Sequence, residues 1–364
     1  MTGAPVLIMA GGTGGHVFPA LAVARALRLR NEPVVWLGTE RGFESRVVPP
    51  EGIPLEIVRV QGLRGKGLGS WLLAPWRLLV AVIDAARVLR RCRPKVVLGM
   101  GGYTAGPGGL AAWLLRRPLV IHEQNAVAGL TNRLLAGFAR EVLEAFPGSF
   151  SSRVRTRVTG NPVRADIAAL PPPAVRFAGR QGPLRLLVLG GSQGARALNE
   201  SVAAAVALLP RDQRPEIRHQ TGEATRPVAE AAYRSAGVEA RVLPFISDMA
   251  EAYGWADLVL ARAGALTVAE LAAAGVGAVL VPFPAAVDDH QTRNAGWLVT
   301  AGAATLLPQS RLTPASLAAE LRAYLDQPDL RLARAERARA LALPGATDAI
   351  VGACLAAARR TTDA

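Results

Sequence analysis

VLIMAGGTGGH (Val6–His16) passes from an apolar run of strand length into a glycine-rich turn and then into a segment of helical period. The pattern returns as LLVLGGSQGA (Leu186–Ala195), about 180 residues further on. A buried strand, a glycine turn and a helix start form the opening unit of a Rossmann-like domain. Two copies at this separation predict two such domains in tandem. A third glycine turn, VVLGMGGYTAGPGG (Val96–Gly109), follows a later strand of the first domain.

Outward from these turns, strand-length apolar runs alternate with longer helical segments, the pattern of parallel α/β domains. Strands are expected at 6–10, 34–38, 55–60, 96–100, 119–122 and 141–143, then at 185–189, 217–220, 240–243, 258–261 and 278–281. Between the halves lie Gly160-Asn161-Pro162-Val163 and a Pro/Gly-rich passage from Leu170 to Pro183, a hinge followed by a connector. The expected domains are 1–163 and 164–344. Open α/β sheets bind ligands at the carboxyl ends of their strands, so glycine loops from both domains are expected to line one cleft.

The chain has 364 residues, of which 51% are hydrophobic, enough to bury a core and to exclude a disordered protein. Its net charge of +14 is uneven: residues 1–163 hold 21 basic and 9 acidic side chains (+12), and residues 164–344 hold 19 and 17 (+2). Such an excess points to nucleic acid, an anionic membrane or an anionic substrate. Cys92 and Cys354 are too few for a disulfide framework and are expected to be buried thiols. The first ten residues do not read as a signal peptide. The apolar stretch Trp71–Ile83, interrupted by Pro75 and Arg77, is too short to span a bilayer.

Gly11-Gly12-Thr13-Gly14-Gly15-His16 lets the backbone approach an anion at a helix N-terminus; a turn needed only for packing is the alternative. It is neither a Walker loop nor a clean GxGxxG, which argues against nicotinamide chemistry. His16 stands at the helix start. There the dipole disfavours a protonated ring, which suits a general base, although a capping role is equally compatible. Gly190-Gly191-Ser192-Gln193-Gly194 repeats the logic with a hydroxyl added, suited to a diphosphate. Glu270 falls near the start of a helix after the strand 258–261, where a carboxylate could accept two ribose hydroxyls. The helix dipole by itself also explains an acid there. Asp288 and Asp289 with His290 lack the spacing that converges on one metal ion, so a polar loop with Gln291 and Asn294 on a helix face is expected. The segment from Leu63 to Leu79 mixes Trp71, Trp76 and leucines with Lys66 and Arg77, a composition for an anionic bilayer interface or for an ordinary amphipathic helix.

The motifs GGTGGHVFPALA, GLRGKG, LGMGGYTAGPGGLAAW, HEQNAVAGLTNRLLA, GNPVR, LGGSQGARALN, RAGALTVAELAAAG and DDHQTRNA run in order through most of the chain. Together they resemble the MurG family of GT-B glycosyltransferases, undecaprenyldiphospho-muramoylpentapeptide β-N-acetylglucosaminyltransferases. The resemblance implies two Rossmann-like domains facing across a cleft. It also implies inverting transfer of GlcNAc from UDP-GlcNAc to the 4-hydroxyl of the muramoyl sugar of lipid I, giving lipid II. Implied donor contacts are Thr13, Gly14, Gly15, Asn125, Arg164, Ser192, Ile246, the run Ala265, Leu266, Thr267, Val268, Ala269 and Glu270, and Gln291. Glu270 would hold the ribose, which reverses the purely structural reading of that residue. Gly11, Gly12, Gly101, Gly102 and Tyr103 would cradle the acceptor diphosphate. Lys66, Trp71, Leu72, Trp76, Leu79 and Trp113 would meet the membrane. The last residues, from about 345, would return as a helix to the first domain. Ala263 and Gly277 depart from the residues common in the family.

These expectations assign His16 as the base, with His122, Glu123 and His290 as alternatives. No metal or other cofactor is expected, because the sequence has no D-x-D motif. The partners are UDP-GlcNAc, lipid I and an anionic membrane surface, at the cytoplasmic face of the plasma (inner) membrane, and not nucleic acid. The nearest rivals are another GT-B transferase or a UDP-GlcNAc epimerase. A nucleic-acid-binding protein is a weaker one, because aromatics are only 5% and the tryptophans sit among leucines.

Overall fold

The computed structural model describes residues 3–60, 74–191, 195–286 and 289–362, and for 360–362 the backbone alone. Lys66, Trp71, Leu72, Ser192 and Asp288 lie outside the described residues. The chain divides into two compact units, Met1–Pro162 with Gly345–Ala364, and Val163–Pro344.

In the first unit the strands are β1 (Val6–Met9), β2 (Val34–Gly38), β3 (Leu55–Ile57), β4 (Val96–Gly99), β5 (Leu119–Glu123), β6 (Glu141–Glu144) and β7 (Thr156–Val158). They pair in parallel in the order β3-β2-β1-β4-β5-β6-β7. Every residue of β1 and β4 is buried, as strands covered on both faces must be, and this is why they read as unbroken apolar runs. The helices are α1 (Gly14–Leu29), α2 (Glu44–Val47), α3 (Ala74–Cys92), α4 (Ala105–Leu114) and α5 (Leu130–Leu135). On α1 the buried Val17, Ala20, Leu21, Ala24 and Leu27 recur at three- and four-residue spacing, one apolar stripe turned to the sheet.

The second unit repeats the plan with β8 (Arg185–Leu189), β9 (Glu216–Gln220), β10 (Arg241–Leu243), β11 (Leu258–Ala261), β12 (Gly277–Leu280) and β13 (Ala304–Leu306). Their order is β10-β9-β8-β11-β12-β13, again parallel throughout. Around them lie α6 (Ala165–Ala168), α7 (Pro173–Phe177), α8 (Arg196–Ala207), α9 (Arg226–Ala236), α10 (Met249–Trp255), α11 (Ala265–Ala274), α12 (His290–Thr300), α13 (Pro314–Asp326) and α14 (Pro328–Ala340).

The final helix, α15 (Ala346–Thr362), belongs to the first unit. Its Ile350, Val351, Cys354 and Ala357 share one core cluster with Val17, Leu21 and Leu27 of α1 and with Val96 and Leu98 of β4. At about 1.5–3 kcal/mol for each fully buried large aliphatic side chain, this helix is an integral wall of the unit. Cys354 is buried and its thiol is pushed up to about 12, whereas Cys92 at the end of α3 is only partly covered, which corrects the expectation for that residue.

Both sheets reverse their strand order beside the strand that precedes a glycine turn: between β1 and β4 in the first unit, and between β8 and β11 in the second. A reversal of this kind opens a crevice at the carboxyl ends of the strands, the usual ligand site of open α/β sheets. Strands β7 and β13 escaped the sequence reading. Each is three residues long at a sheet edge, and Arg157 and Val158 of β7 are exposed, so neither carries a doubly buried apolar run.

Candidate functional site

In the first unit the carboxyl ends of β1, β4 and β5 bring together Gly11–His16, Gly101–Tyr103 and His122–Asn125. The turn after β4 touches the turn after β1. Gly102 has φ +85°, and a Cβ there would collide with the Gly11 carbonyl oxygen. Gly101, at φ +91°, lies so close to His16 that a Cβ would come within 2.7 Å of its Nδ1. Only glycine permits both the left-handed backbone and this approach. Tyr103 is half exposed beside Gly12.

One carboxylate that the sequence reading missed organises the first turn. Glu44 of α2 is fully buried. It accepts from the Gly12 N–H at 3.2 Å, from the Thr39 N–H at 2.9 Å and from the Thr39 hydroxyl at 2.8 Å. The Gly12 N–H is therefore already bonded to a protein anion, and Gly12 serves the turn as a pinned point. Gly14 and Gly15 open α1, and the N–H groups of a helix's first turn have no partner within the helix. Thr13, the exposed N-cap residue, makes no side-chain capping bond; its carbonyl accepts from the N–H groups of His16 and Val17.

His16, the third residue of α1, is half-buried, with Nδ1 2.9 Å from Gln124 Oε1. Gln124 Nε2 lies 3.1 Å from His122 Nδ1 and 3.2 Å from the His122 carbonyl oxygen, and His122 Nε2 is 3.0 Å from the Gly160 carbonyl. Burial lowers the His122 pKa to about 4, against the opposing pull of the Gly160 carbonyl and Glu123. His122 is thus a neutral interior residue with both ring nitrogens occupied. Glu123 is equally committed: its carboxylate accepts from the Asn125 N–H and amide, the Gly129 N–H and the Asn132 amide at 2.8–3.2 Å. Of the base candidates in this unit, only His16 keeps a ring nitrogen outside these bonds.

In the second unit, Gly191 closes the turn after β8 at φ +78°. Its N–H donates to Gln220 Oε1 at 3.0 Å, and Gln220 Nε2 donates back to the Gly191 carbonyl at 3.2 Å. Each glycine turn is thus pinned by a side chain from elsewhere in its own unit. After β11, Gly264 caps α11, so Ala265, Leu266 and Thr267 form its first turn and Glu270 falls in its second. The Tyr253 hydroxyl of α10 donates to Glu270 Oε2 at 3.0 Å. Packing around the Glu270 carboxyl raises its pKa to about 7; the Tyr253 bond and the Arg164 charge oppose the rise and Asp166 adds to it. Arg164, placed just before α6 and 3.7 Å from Asp166, therefore acts on the same carboxyl.

Arg262 donates to the carbonyls of Val281 and Pro282 and to Gln309 Oε1, bracing the segment after β12. Gln291 of α12 accepts from the Phe283 N–H at 2.9 Å, and Asn294 donates to the Ala263 carbonyl. Ile246 is half-buried in the loop between β10 and α10. A cavity beside it, lined by Asp166, Ser247, Asp248 and Glu251 among others, carries three carboxylates and does not suit a diphosphate. Among the described residues no group of His, Cys, Asp and Glu is placed to hold a metal ion.

Apart from these crevices, α3 and α4 pack together and present Trp76 (64% exposed), Leu79 (49%) and Trp113 (47%) to solvent, with Leu114 and Phe138 beside them. The Trp113 and Phe138 rings meet at 4.8 Å. Among the described residues no helix is long and apolar enough to cross a membrane.

Comparison with known proteins matches residues 6–144 to the glycosyltransferase family 28 N-terminal domain and residues 185–350 to the family's C-terminal domain. The chain is 58% identical to a protein of Marinobacter nauticus over 97% of both chains, and 60% identical to one of Alkalilimnicola ehrlichii over 98% of this chain and 99% of the relative. Both relatives are named UDP-N-acetylglucosamine--N-acetylmuramyl-(pentapeptide) pyrophosphoryl-undecaprenol N-acetylglucosamine transferase. The crystal structure of Acinetobacter baumannii MurG, 42% identical, superposes with a TM-score of 0.86 over 97% of this chain and all of that one. By sequence along nearly its whole length and by fold, the chain belongs to glycosyltransferase family 28, and within it to the MurG family.

Proposed function

We propose that this protein transfers GlcNAc from UDP-GlcNAc to the 4-hydroxyl of the MurNAc-pentapeptide carried on undecaprenyl diphosphate, with inversion, converting lipid I to lipid II. The near full-length likeness to transferases of that name carries the reading. The disposition of His16 and Glu270 at the ligand edges of their two units supports it.

In this reading His16 removes the proton from the acceptor hydroxyl as its oxygen attacks the anomeric carbon, and the bond to UDP breaks with its electron pair leaving on the diphosphate. Glu270 accepts the ribose hydroxyls, Ile246 offers its backbone to the uracil and Gln291 reads the sugar. Arg164, Asn125, Thr13, Gly14, Gly15 and the first turn of α11 complete the donor contacts, with Ser192 on the diphosphate. The acceptor diphosphate lies against Gly101, Gly102 and Tyr103 and the turn of Gly11 and Gly12 that Glu44 pins. Trp76, Leu79 and Trp113, with Lys66, Trp71 and Leu72, rest on an anionic membrane surface at the cytoplasmic face.

Incubation with labelled UDP-GlcNAc and a lipid I analogue tests the assignment. A β-linked disaccharide product is expected, formed only when the acceptor is present. Acceptor-independent turnover of UDP-GlcNAc would instead indicate an epimerase.

A further inference from the structure

The contacts behind His16 determine which of its two nitrogens can take a proton. The Gln124 amide can be oriented without reference to either histidine ring. Its Nε2 lies 3.2 Å from the His122 carbonyl oxygen, which only accepts, so the NH2 group faces that way and Oε1 faces His16. A carbonyl oxygen cannot donate, so the 2.9 Å contact requires a proton on His16 Nδ1. A second route reaches the same answer. His122 Nε2 faces the Gly160 carbonyl and must carry that ring's single proton, which leaves Nδ1 to accept from Gln124 Nε2. The main chain of Gln124 is itself held, its carbonyl accepting from the Asn161 amide at 2.9 Å.

We propose that Gln124 and His122 are positioning residues that lock neutral His16 in the Nδ1–H tautomer and leave Nε2 as the proton-accepting atom. The inference rests on the reading of His16 as base. The acceptor hydroxyl proton passes to Nε2, giving an imidazolium whose Nδ1–H still donates to Gln124, while the electron pair of the breaking glycosidic bond leaves on UDP. The order of bonds runs from a main-chain carbonyl through a buried ring and an amide to the reactive ring. It fixes opposite tautomers on the two histidines, Nε2–H on His122 and Nδ1–H on His16.

The chain has four histidines, so each ring can be assigned in a 15N-labelled sample of the full protein by long-range 1H–15N correlation above the titration of the rings. The wild type should show a protonated Nδ1 on His16 and a protonated Nε2 on His122. Gln124→Leu should give His16 a mixed tautomer population and lower kcat roughly tenfold, the equilibrium factor of one hydrogen bond, with KM for UDP-GlcNAc unchanged. Gln124→Glu, whose carboxylate still accepts from His16, should retain the Nδ1–H form on His16 while His122 loses its donor. An Nε2–H form of His16 in the wild type, or an unaltered tautomer in Gln124→Leu, would overturn the proposal, and the wild-type spectrum decides even if that variant misfolds. Full turnover in His16→Ala would remove the base assignment while leaving the tautomer result standing, so the two failures are distinguishable.

Discussion

At the scale of single residues, His16 and Glu270 carry opposite demands. In the proposed role of His16 as base, His16→Ala should remove a contribution of about 10²–10⁴ in rate. Steady-state kinetics should show that loss in kcat, with the KM for UDP-GlcNAc nearly unchanged. In its proposed role Glu270 accepts two ribose hydroxyls as a carboxylate, yet packing around its carboxyl holds the pKa near 7, with Tyr253 and Arg164 opposing and Asp166 reinforcing. UDP-GlcNAc affinity should therefore rise with pH through about 7, approaching a tenfold gain per pH unit below that value. Glu270→Gln should bind weakly at every pH, and its titration calorimetry should be flat across that window. Stability follows the opposite sign. The folded protein binds this proton more tightly than the unfolded chain, so the stability it contributes is present at low pH and is lost as pH rises through about 7.

At the scale of elements, the two glycine turns of the first unit depend on each other. An alanine at Gly102 meets both a left-handed backbone and the Gly11 carbonyl. Gly102→Ala should therefore cost about 1–3 kcal/mol, read as a lower denaturant midpoint, and should also disturb His16 through Gly101. The helix pair α3 and α4 makes a separate prediction. Its exposed Trp76 and Trp113 are not needed to hold the core, so Trp76→Ser with Trp113→Ser should leave the melting temperature within a few degrees. Binding to anionic vesicles should fall at least several-fold by co-sedimentation. Unchanged vesicle binding would remove these helices as the membrane face. The elements most legible in the sequence were the doubly buried strands β1, β4, β8 and β11, whose apolar runs need no context to recognise. The edge strands β7 and β13 were not legible, because an edge position is a property of the finished sheet.

At the scale of the whole molecule, the charge of +14 is carried by residues 1–163 (+12), and α15, which completes that unit, lies in a neutral tail. The full chain should bind vesicles containing anionic lipid and ignore zwitterionic ones, and binding should weaken as salt shortens the Debye length to about 8 Å at 0.15 M. Salt-insensitive binding to both kinds of vesicle would refute an electrostatic contribution.

The sequence by itself determined the two parallel α/β units, the glycine turns that open them, the candidate residues at those turns and the family. All of these rest on local patterns: a buried strand is apolar along its length, and a turn that admits close approach is glycine. Only the tertiary structure decided which side chains govern those turns. Glu44 reaches Gly12, Gln220 brackets Gly191, Tyr253 meets Glu270, and Gln124 stands between His122 and His16. Most of these partners are far apart in the chain and are brought together by strand order and register, so no window of sequence contains the information. For the same reason the base candidates of the first unit, His16, His122 and Glu123, narrow to His16 once the surrounding hydrogen bonds commit the other two, with His290 of the second unit the remaining alternative.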